Sequence, residues 1–327
     1  MTQQKSAMAA AATHPAKLRS FFANSRVKAF YPLVGLILII AVFSILTDGK
    51  IITARSIRLI LSQVYPLMIA CTGVFMVMTL GSLDFSQGSI IGMASIVVSA
   101  LSFYSIPLAI FGGILTGAVI GLFNGLIHVK FKIPSFIVTI CTMYLFRGLC
   151  AYLTTNAPVA ATPGITALNE DWIKLLVTGL TLLVTYVLFR YTKLGINLKA
   201  IGAGETAARY SGVRTDLTKV LVFAAAGMIT GIAAFINVVK VGSITSTAGN
   251  QFETQILIAL VLGGLPISGG SKVRFSNIII GALVSLILGN GLVMLGLDTA
   301  IQQLIKGLIF LAVVALTIDR KSLKVIK

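Results

Sequence analysis

Ten stretches of this chain carry almost no charge: Phe30–Leu46, Leu59–Leu80, Ser89–Phe103, Ile106–Val129, Phe136–Leu153, Trp172–Phe189, Val220–Val239, Thr254–Ile267, Ile278–Leu295 and Ala300–Ile318. A helix needs about 20 mostly apolar residues to cross ~30 Å of hydrocarbon, and most of these stretches are close to that length. Ser89–Phe103 and Thr254–Ile267 are shorter, which predicts half-helices or re-entrant pieces. Charged residues make up 11% of the 327, against roughly 25% in soluble domains. So few charges cannot cover a water-facing surface, and intrinsic disorder is excluded for the same reason. The expected class is therefore all-α: a polytopic integral membrane protein of about ten spans. Its membrane domain occupies residues 30–319, between an N-terminal tail (1–29) and a C-terminal tail (320–327).

The charge that exists is one-sided, with 26 Lys and Arg against 9 Asp and Glu. With the N-terminus inside, 19 of the 26 basic residues fall on cytoplasmic segments, among them the 190–219 loop. The positive-inside rule thus predicts a multi-pass chain with both termini in the cytoplasm. No basic run is interleaved with aromatics, so nucleic acid is not an expected partner. One loop dissents, because Lys50, Arg55 and Arg58 lie outside. The apolar stretch after the basic N-terminus lacks a following small-residue cleavage site and reads as a retained helix.

Several chemistries drop out. Cys71, Cys141 and Cys150 are odd in number and irregular in spacing, so neither a disulfide framework nor a metal site is expected. The two histidines, His14 and His128, are too few for a histidine-based metal site or triad. There is no Walker A pattern, so the chain does not hold ATP by a P-loop, and no resident cofactor is expected. No catalytic residues are expected.

Two decapeptides echo one another: LGSLDFSQGS from Leu80 and LGGLPISGGS from Leu262. They place Gly81 with Gly263 and Gly88 with Gly270, next to Gly264 and Gly269, and each lies beside one of the two short segments. Helices interrupted inside protein expose backbone N–H and C=O groups that can bind a passing polar solute. Asp84 sits in the first motif and reads as the cap of a helix start. Glu253 precedes the helix leading to the second. A buried carboxylate must be paired or hydrogen-bonded, and the rival role for either is a proton or cation site. Arg147 and Lys306, within apolar segments, read as structural counter-charges or snorkelling groups. Gly113, Gly117, Gly121 and Gly125 share one helix face and predict close helix packing, within the bundle or at a subunit interface.

Between Arg190 and Lys219 the sequence predicts a short helix from Glu205 to Ser211. Glu205 and Arg209 form an i,i+4 pair, and Gly212 is placed to stop it. The loop is either a solvated connector or a docking element for another protein.

LGSLDFSQGS resembles the Gly-Gly-x-Asp-Leu-Ser-x-Gly-Ser signature of sugar-type ABC importer permeases, the ribose-permease-like family. AIGAGETAARYSGV and TAGNQFETQILIALVLGGLPISGG resemble two further motifs of that family, in the same order. Ser82 and Gln87 depart from the usual residues, as does Ser271–Phe275, which replaces a glycine-containing turn. The resemblance implies a second permease subunit (homodimer or pseudo-homodimer), cytoplasmic ATPases that bind the ATP, and an extracytoplasmic solute-binding protein. It also implies a coupling role for Gly202, Glu205, Ala208, Arg209 and Gly212. The expected solute is small, neutral and polyhydroxylated, a monosaccharide such as ribose, because hydroxyl and amide side chains can match sugar hydroxyls. Asp84, Ser86, Ser89, Asn124, Thr139, Thr142 and Asn290 are the expected pathway residues. The alternative is an ion-coupled secondary transporter using Asp84 or Glu253.

Overall fold

The computed structural model describes residues 31–270 and 273–317. The expected tails (1–29 and 320–327), the segment ends Phe30 and Ile318, and Ser271 of the second decapeptide lie outside these residues. The helices are α1 (Tyr31–Leu46), α2 (Ala54–Thr79), α3 (Gln87–Leu101), α4 (Ile106–Lys130), α5 (Ser135–Leu153), α6 (Pro163–Thr166), α7 (Asp171–Tyr191), α8 (Lys193–Ala203), α9 (Glu205–Tyr210), α10 (Thr215–Val241), α11 (Phe252–Leu262), α12 (Ser276–Met294) and α13 (Thr299–Thr317). A single 3-10 turn, Lys50–Ile52, links α1 to α2. Two short strands, β1 (Val159–Ala160) and β2 (Ser243–Ile244), pair antiparallel, Val159 with Ile244 and Ala160 with Ser243.

Among the described residues six helices, α2, α4, α5, α7, α10 and α12, are long and apolar enough to cross a membrane. Four shorter apolar helices, α1, α3, α11 and α13, coincide with the other four expected segments. The chain is thus an all-helical bundle with several membrane-length helices. Its outer face is apolar where a soluble protein would carry charge: Trp172, Leu175, Leu176, Leu180 and Leu183 of α7 are all exposed. Such a face is stable against lipid and not against water.

Helix α2 is the central post. From Val64 to Thr79 it has no polar face, and every residue there is buried, as expected of such a segment. Thr53 starts it by accepting a bond from the Ser56 amide, and Ser105 starts α4 by accepting one from Leu108; both are N-caps. Helices α10 and α12 pack against α2, α3 fits between α4, α5 and α10, and α1 covers α12.

The glycine stripe of α4 packs within the bundle. Gly113 faces Gly231, Gly117 faces Gly227, Gly121 faces Phe223 and Gly125 faces Val220, so α4 and α10 run antiparallel in backbone contact. A Cβ at Gly117 or Gly121 would collide with a carbonyl of α10. Without a hydrophobic drive between helices in lipid, such close approach supplies much of the association energy.

The 190–219 segment contains more structure than the expected single short helix. Helix α8 precedes α9 and is capped by Thr192, whose hydroxyl accepts from the Leu194 amide at 3.3 Å. Leu194, Leu198 and Ile201 form an i, i+4, i+7 stripe, of which Leu198 and Ile201 are fully packed into the core. A stripe of three residues is shorter than the windows that reveal helical periodicity.

Gly121→Val should lower the thermal midpoint of the detergent-solubilised protein by the equivalent of about 3 kcal/mol, through overpacking against backbone. Gly179→Ala, where an added Cβ meets nothing within 4 Å, should leave the midpoint unchanged or raise it, since Ala is the better helix former.

Candidate functional site

Helix α2 ends deep in the bundle. The Gly81 amide bonds to the Met78 carbonyl at 3.0 Å and the Ser82 amide to Val77 at 3.2 Å. This crossed pair is a Schellman motif, which needs a left-handed residue at its turn; Gly81 supplies it with φ +82°. Helix α11 ends the same way, with Gly264 to Val261 at 2.9 Å and Leu265 to Leu260 at 3.0 Å, Gly264 having φ +90°. The two echoing decapeptides therefore share a physical device. The structural equivalence pairs Gly81 with Gly264, one residue away from the sequence match. The echo also stops there: the first break lies between a long helix and a short one, the second between a short helix and a long one.

After Gly81 the chain runs to α3 without helix or strand, and its amides must find partners away from water. Leu83 donates to Ser135 Oγ and Phe85 to Thr139 Oγ1, both at 3.1 Å. Asp84, 1% exposed, collects three donors. Its Oδ1 accepts from the Ser86 amide at 2.9 Å and the Ser86 hydroxyl at 2.6 Å, and its Oδ2 accepts from Gln87 Nε2 at 2.6 Å. Asp84 thus fixes the turn that enters α3 and does not cap the helix as expected: the N-cap is Ser86, and among the described residues no side chain accepts from the first-turn amides of α3. Asn124 of α4 donates to Ser86 Oγ at 2.8 Å, and Thr230 of α10 donates to Gln87 Oε1. The Ser89 hydroxyl bonds to the Ser86 carbonyl at 2.7 Å, and Thr142 to the Thr139 carbonyl at 3.2 Å. Asn124 Oδ1 is buried with no partner among the described residues.

Of the expected pathway residues, Asp84, Ser86, Ser89, Asn124, Thr139 and Thr142 thus gather around one break, and all are buried. Asn290 lies elsewhere: on α12 it donates to Gln63 Oε1 and to the Leu286 carbonyl, both at 2.9 Å. Gln87, Ser135 and Thr230 belong to the cluster and were not expected there. Gln87 stood out in the sequence only as a departure from a motif.

The second carboxylate is paired. Glu253, in the first turn of α11, receives Arg147 Nη2 of α5 at 3.0 and 3.1 Å. Arg147 is therefore the counter-charge that its position suggested. Gly88 makes the pair possible, since a Cβ there would collide with the Glu253 carboxylate and sit 2.5 Å from the Gly249 carbonyl.

Helix α8 abuts both breaks. A Cβ on Gly202 would strike the Thr79 carbonyl and lie 2.7 Å from the Gly270 amide. Gly270 itself donates to the Thr79 carbonyl at 3.0 Å, and a Cβ on Gly269 would lie 2.7 Å from the Gly81 amide. The end of α2, the Gly269–Gly270 turn and the end of α8 therefore meet at one point through backbone alone. Lys199 Nζ lies 4.5 Å over the Phe189 ring, which stacks edge-on with Phe75 of α2.

The expected docking residues divide. Gly202 and Ala208 face inward, and Ala208 is 4% exposed, so neither offers a surface. Glu205 pairs with Lys219 at 2.6 Å. Arg209 bonds to Asp216 at 2.8 Å and lies 3.7 Å from Glu205. These charges tie α9 to the start of α10. Gly212, φ +86°, stops the helix as expected. Thr206, Ala207 and Tyr210 are exposed, Tyr210 at 89%.

Asp84→Ala should cost roughly 3 kcal/mol or more, because it strands a buried amide and a buried side-chain NH₂. Asp84→Asn should cost less. If Gln87 flips its amide, it can accept from the new NH₂ and donate to Thr230, keeping every group paired. Thermal melts of the two purified variants would check the ranking. Arg147→Met should destabilise by about 3 kcal/mol by leaving Glu253 unpaired, and adding Glu253→Gln should restore part of that loss.

Comparison with known proteins gives a consistent result. The family model described as "Branched-chain amino acid transport system / permease component" matches residues 56–314. The ribose import permease protein RbsC of Escherichia coli K12 is 29% identical over 319 residues, covering 93% of this chain and 97% of its own. The ribose import permease protein RbsC of Bacillus subtilis strain 168 is 31% identical over 301 residues, covering 89% and 92%. The xylose transport system permease protein XylH of Haemophilus influenzae is 26% identical over 360 residues, covering 89% and 96%. No solved structure matches. With a family model matched over most of its length, a bundle of membrane-length helices and two interrupted helices at its centre, the chain belongs to the family of branched-chain amino acid transport system / permease components.

Proposed function

We propose that this chain is the membrane subunit of an ABC importer for a small, neutral, polyhydroxylated solute, a monosaccharide such as ribose. The observation that carries this reading is the similarity to two ribose import permeases along at least 92% of their length. In this reading the chain works with a second permease subunit, cytoplasmic ATPases and an extracytoplasmic binding protein. It spans a bacterial inner membrane with ten apolar helices and both termini inside. ATP is bound and hydrolysed in the partner chains, so this chain makes no bond and holds no cofactor.

The chemistry of the breaks supports a neutral solute. Around α3 the polar groups are hydroxyls and amides, which recognise sugar hydroxyls without a charge. The carboxylates are occupied: Asp84 has three donors and Glu253 has Arg147. Neither is left as an open ion site, which disfavours ion-coupled transport. In the state described, the cluster's side chains bond to one another, so we place the solute path beside them, between two permease subunits. Asp84, Ser86, Ser89, Asn124, Thr139 and Thr142 shape its wall, and Asn290 contributes on the α12 side.

The 190–219 segment is the proposed ATPase contact. Its outward face is Thr206, Ala207 and Tyr210, and α8 carries displacement of that face to both breaks through Gly202.

In proteoliposomes containing the ATPase and a binding protein, uptake of labelled ribose should require ATP and survive an uncoupler. Ion-driven uptake by this chain alone would decide for the secondary transporter. Tyr210→Ala should remove an exposed aromatic anchor worth roughly 2 kcal/mol of docking, lowering ATPase co-purification more than tenfold. Fold and insertion should be untouched, because the side chain lies outside the core. Wild-type co-purification and uptake in that variant would make α9 a connector only.

A further inference from the structure

The turn between α1 and α2 is the place where the charge pattern fails. Lys50, Arg55 and Arg58 lie within nine residues, on the face where the positive-inside rule expects few cations. All three side chains are exposed. Among the described residues none of them makes an ion pair or a side-chain hydrogen bond. The same turn borders an apolar groove of about 230 Å³ between α1, α2 and α12. Ile40, Ile51, Ile57, Ile60, Leu61 and Ile287 line most of it.

The cations and the groove are parts of one surface. Lys50 opens the 3-10 turn that places Ile51 and Ile52 in the groove. On α2, Arg58 stands next to Ile57 and one turn before Leu61, so charge and groove wall are neighbours on the helix surface. Arg55 lies three residues before Arg58 on the same side. An apolar slot at the end of a membrane-length helix, capped by unpaired cations, is complementary to one kind of molecule: an acyl chain joined to an anionic headgroup. Long basic side chains near helix ends also reach naturally to headgroup level.

We propose that this groove binds an anionic glycerophospholipid, with one acyl chain between α1, α2 and α12 and the headgroup phosphate held by Lys50, Arg55 and Arg58. The site explains why a cation-rich turn is kept on the unfavoured face. There the cations fix a lipid that fills the gap between α1 and the post helix α2.

The full chain, purified in detergent, would be titrated with phosphatidylglycerol or phosphatidylcholine of identical acyl chains and examined by native mass spectrometry. Phosphatidylglycerol should be retained with a preference of roughly tenfold or more, since each basic residue at the surface adds several-fold. Combined Lys50→Gln, Arg55→Gln and Arg58→Gln should abolish the preference. Lys130→Gln with Lys132→Gln, at the far end of α4, should leave it intact. Leu61→Trp, which fills the groove and keeps the cations, should lower retention of both lipids several-fold. Equal retention of the two lipids by the wild-type chain would overturn the proposal, whatever the variants do. So would an unchanged preference in the triple variant, an equal loss in the Lys130/Lys132 variant, or unchanged retention in Leu61→Trp.

Discussion

The backbone amides released where α2 stops inside the bundle are the constraint on which the rest of the centre depends. In an apolar interior each unpaired amide costs several kcal/mol, so a stretch without helix or strand such as Ser82–Ser86 survives only if nearby side chains supply acceptors. Helix α5 supplies two, Ser135 and Thr139, and Asp84 supplies the third from within the stretch. Using a carboxylate there creates a second demand, because its other oxygen also needs a donor. Gln87 meets that demand and in turn requires Thr230. One helix break thus recruits polar side chains from α3, α4, α5 and α10. A polar network of this kind is stable only when nearly every member is paired, and among the described residues Asn124 Oδ1 is the one buried side-chain oxygen of the network left without a partner.

Glycine sets the second constraint, by bringing backbone against backbone. Along the α4–α10 seam at Gly117 and Gly121, and at the Gly202–Thr79–Gly270 junction, backbone meets backbone directly. A contact through side chains can absorb a small displacement by changing rotamer. A contact between backbones cannot, and close-packed interiors pass strain on. The junction at Gly202 therefore makes α8, the end of α2 and the Gly269–Gly270 turn behave as one piece. The seam does the same for α4 and α10, which carry Asn124 and Thr230 into the Asp84 network.

Much of this was legible in residues. The apolar stretches mark their helices to within about five residues because hydrocarbon length is a coarse and strong signal. Asp84 as an organiser of the turn entering α3 was readable, because a carboxylate beside a helix start can accept from nearby amides, although its position also allowed a proton or cation site. Arg147 as a counter-charge was readable because a cation within an apolar segment needs an anion, although the identity of that anion was not, since 106 residues separate it from Glu253. The register of the echo was misleading: Leu-Gly repeats at both sites, yet the residue that must take positive φ is the second glycine in one motif and the first in the other. Gln87 and Thr230 were not legible, because a buried polar side chain is identified by its partner and the partner lies on another helix. Ala208 illustrates the reverse. Small residues on a short helix suit an exposed docking face and a tight internal contact equally well, and only the packing of α9 distinguishes them.

The charged residues of α9 bear on how that packing serves the permease. Glu205 and Arg209 reach back to Lys219 and Asp216, so α9 is fastened to the first turns of α10 by two ion pairs at a half-exposed surface. Each pair alone would contribute little, but together with the buried Ala208 and the Gly212 stop they fix the orientation of a six-residue helix that could not stand by itself. A displacement of α9 then has two physical routes inward. One runs through α8 and Gly202 to the backbone at Thr79. The other runs along α10 to Thr230 and through Gln87 to Asp84. Both routes end on the same break, from its two sides, so the ATPase contact proposed at α9 would, when pushed, shift the Ser82–Ser86 stretch relative to α5, where Ser135 and Thr139 hold its amides. The bonds that stabilise the break in one position are therefore also the bonds that must exchange if it moves, and these hydroxyl acceptors can turn to new donors at little cost.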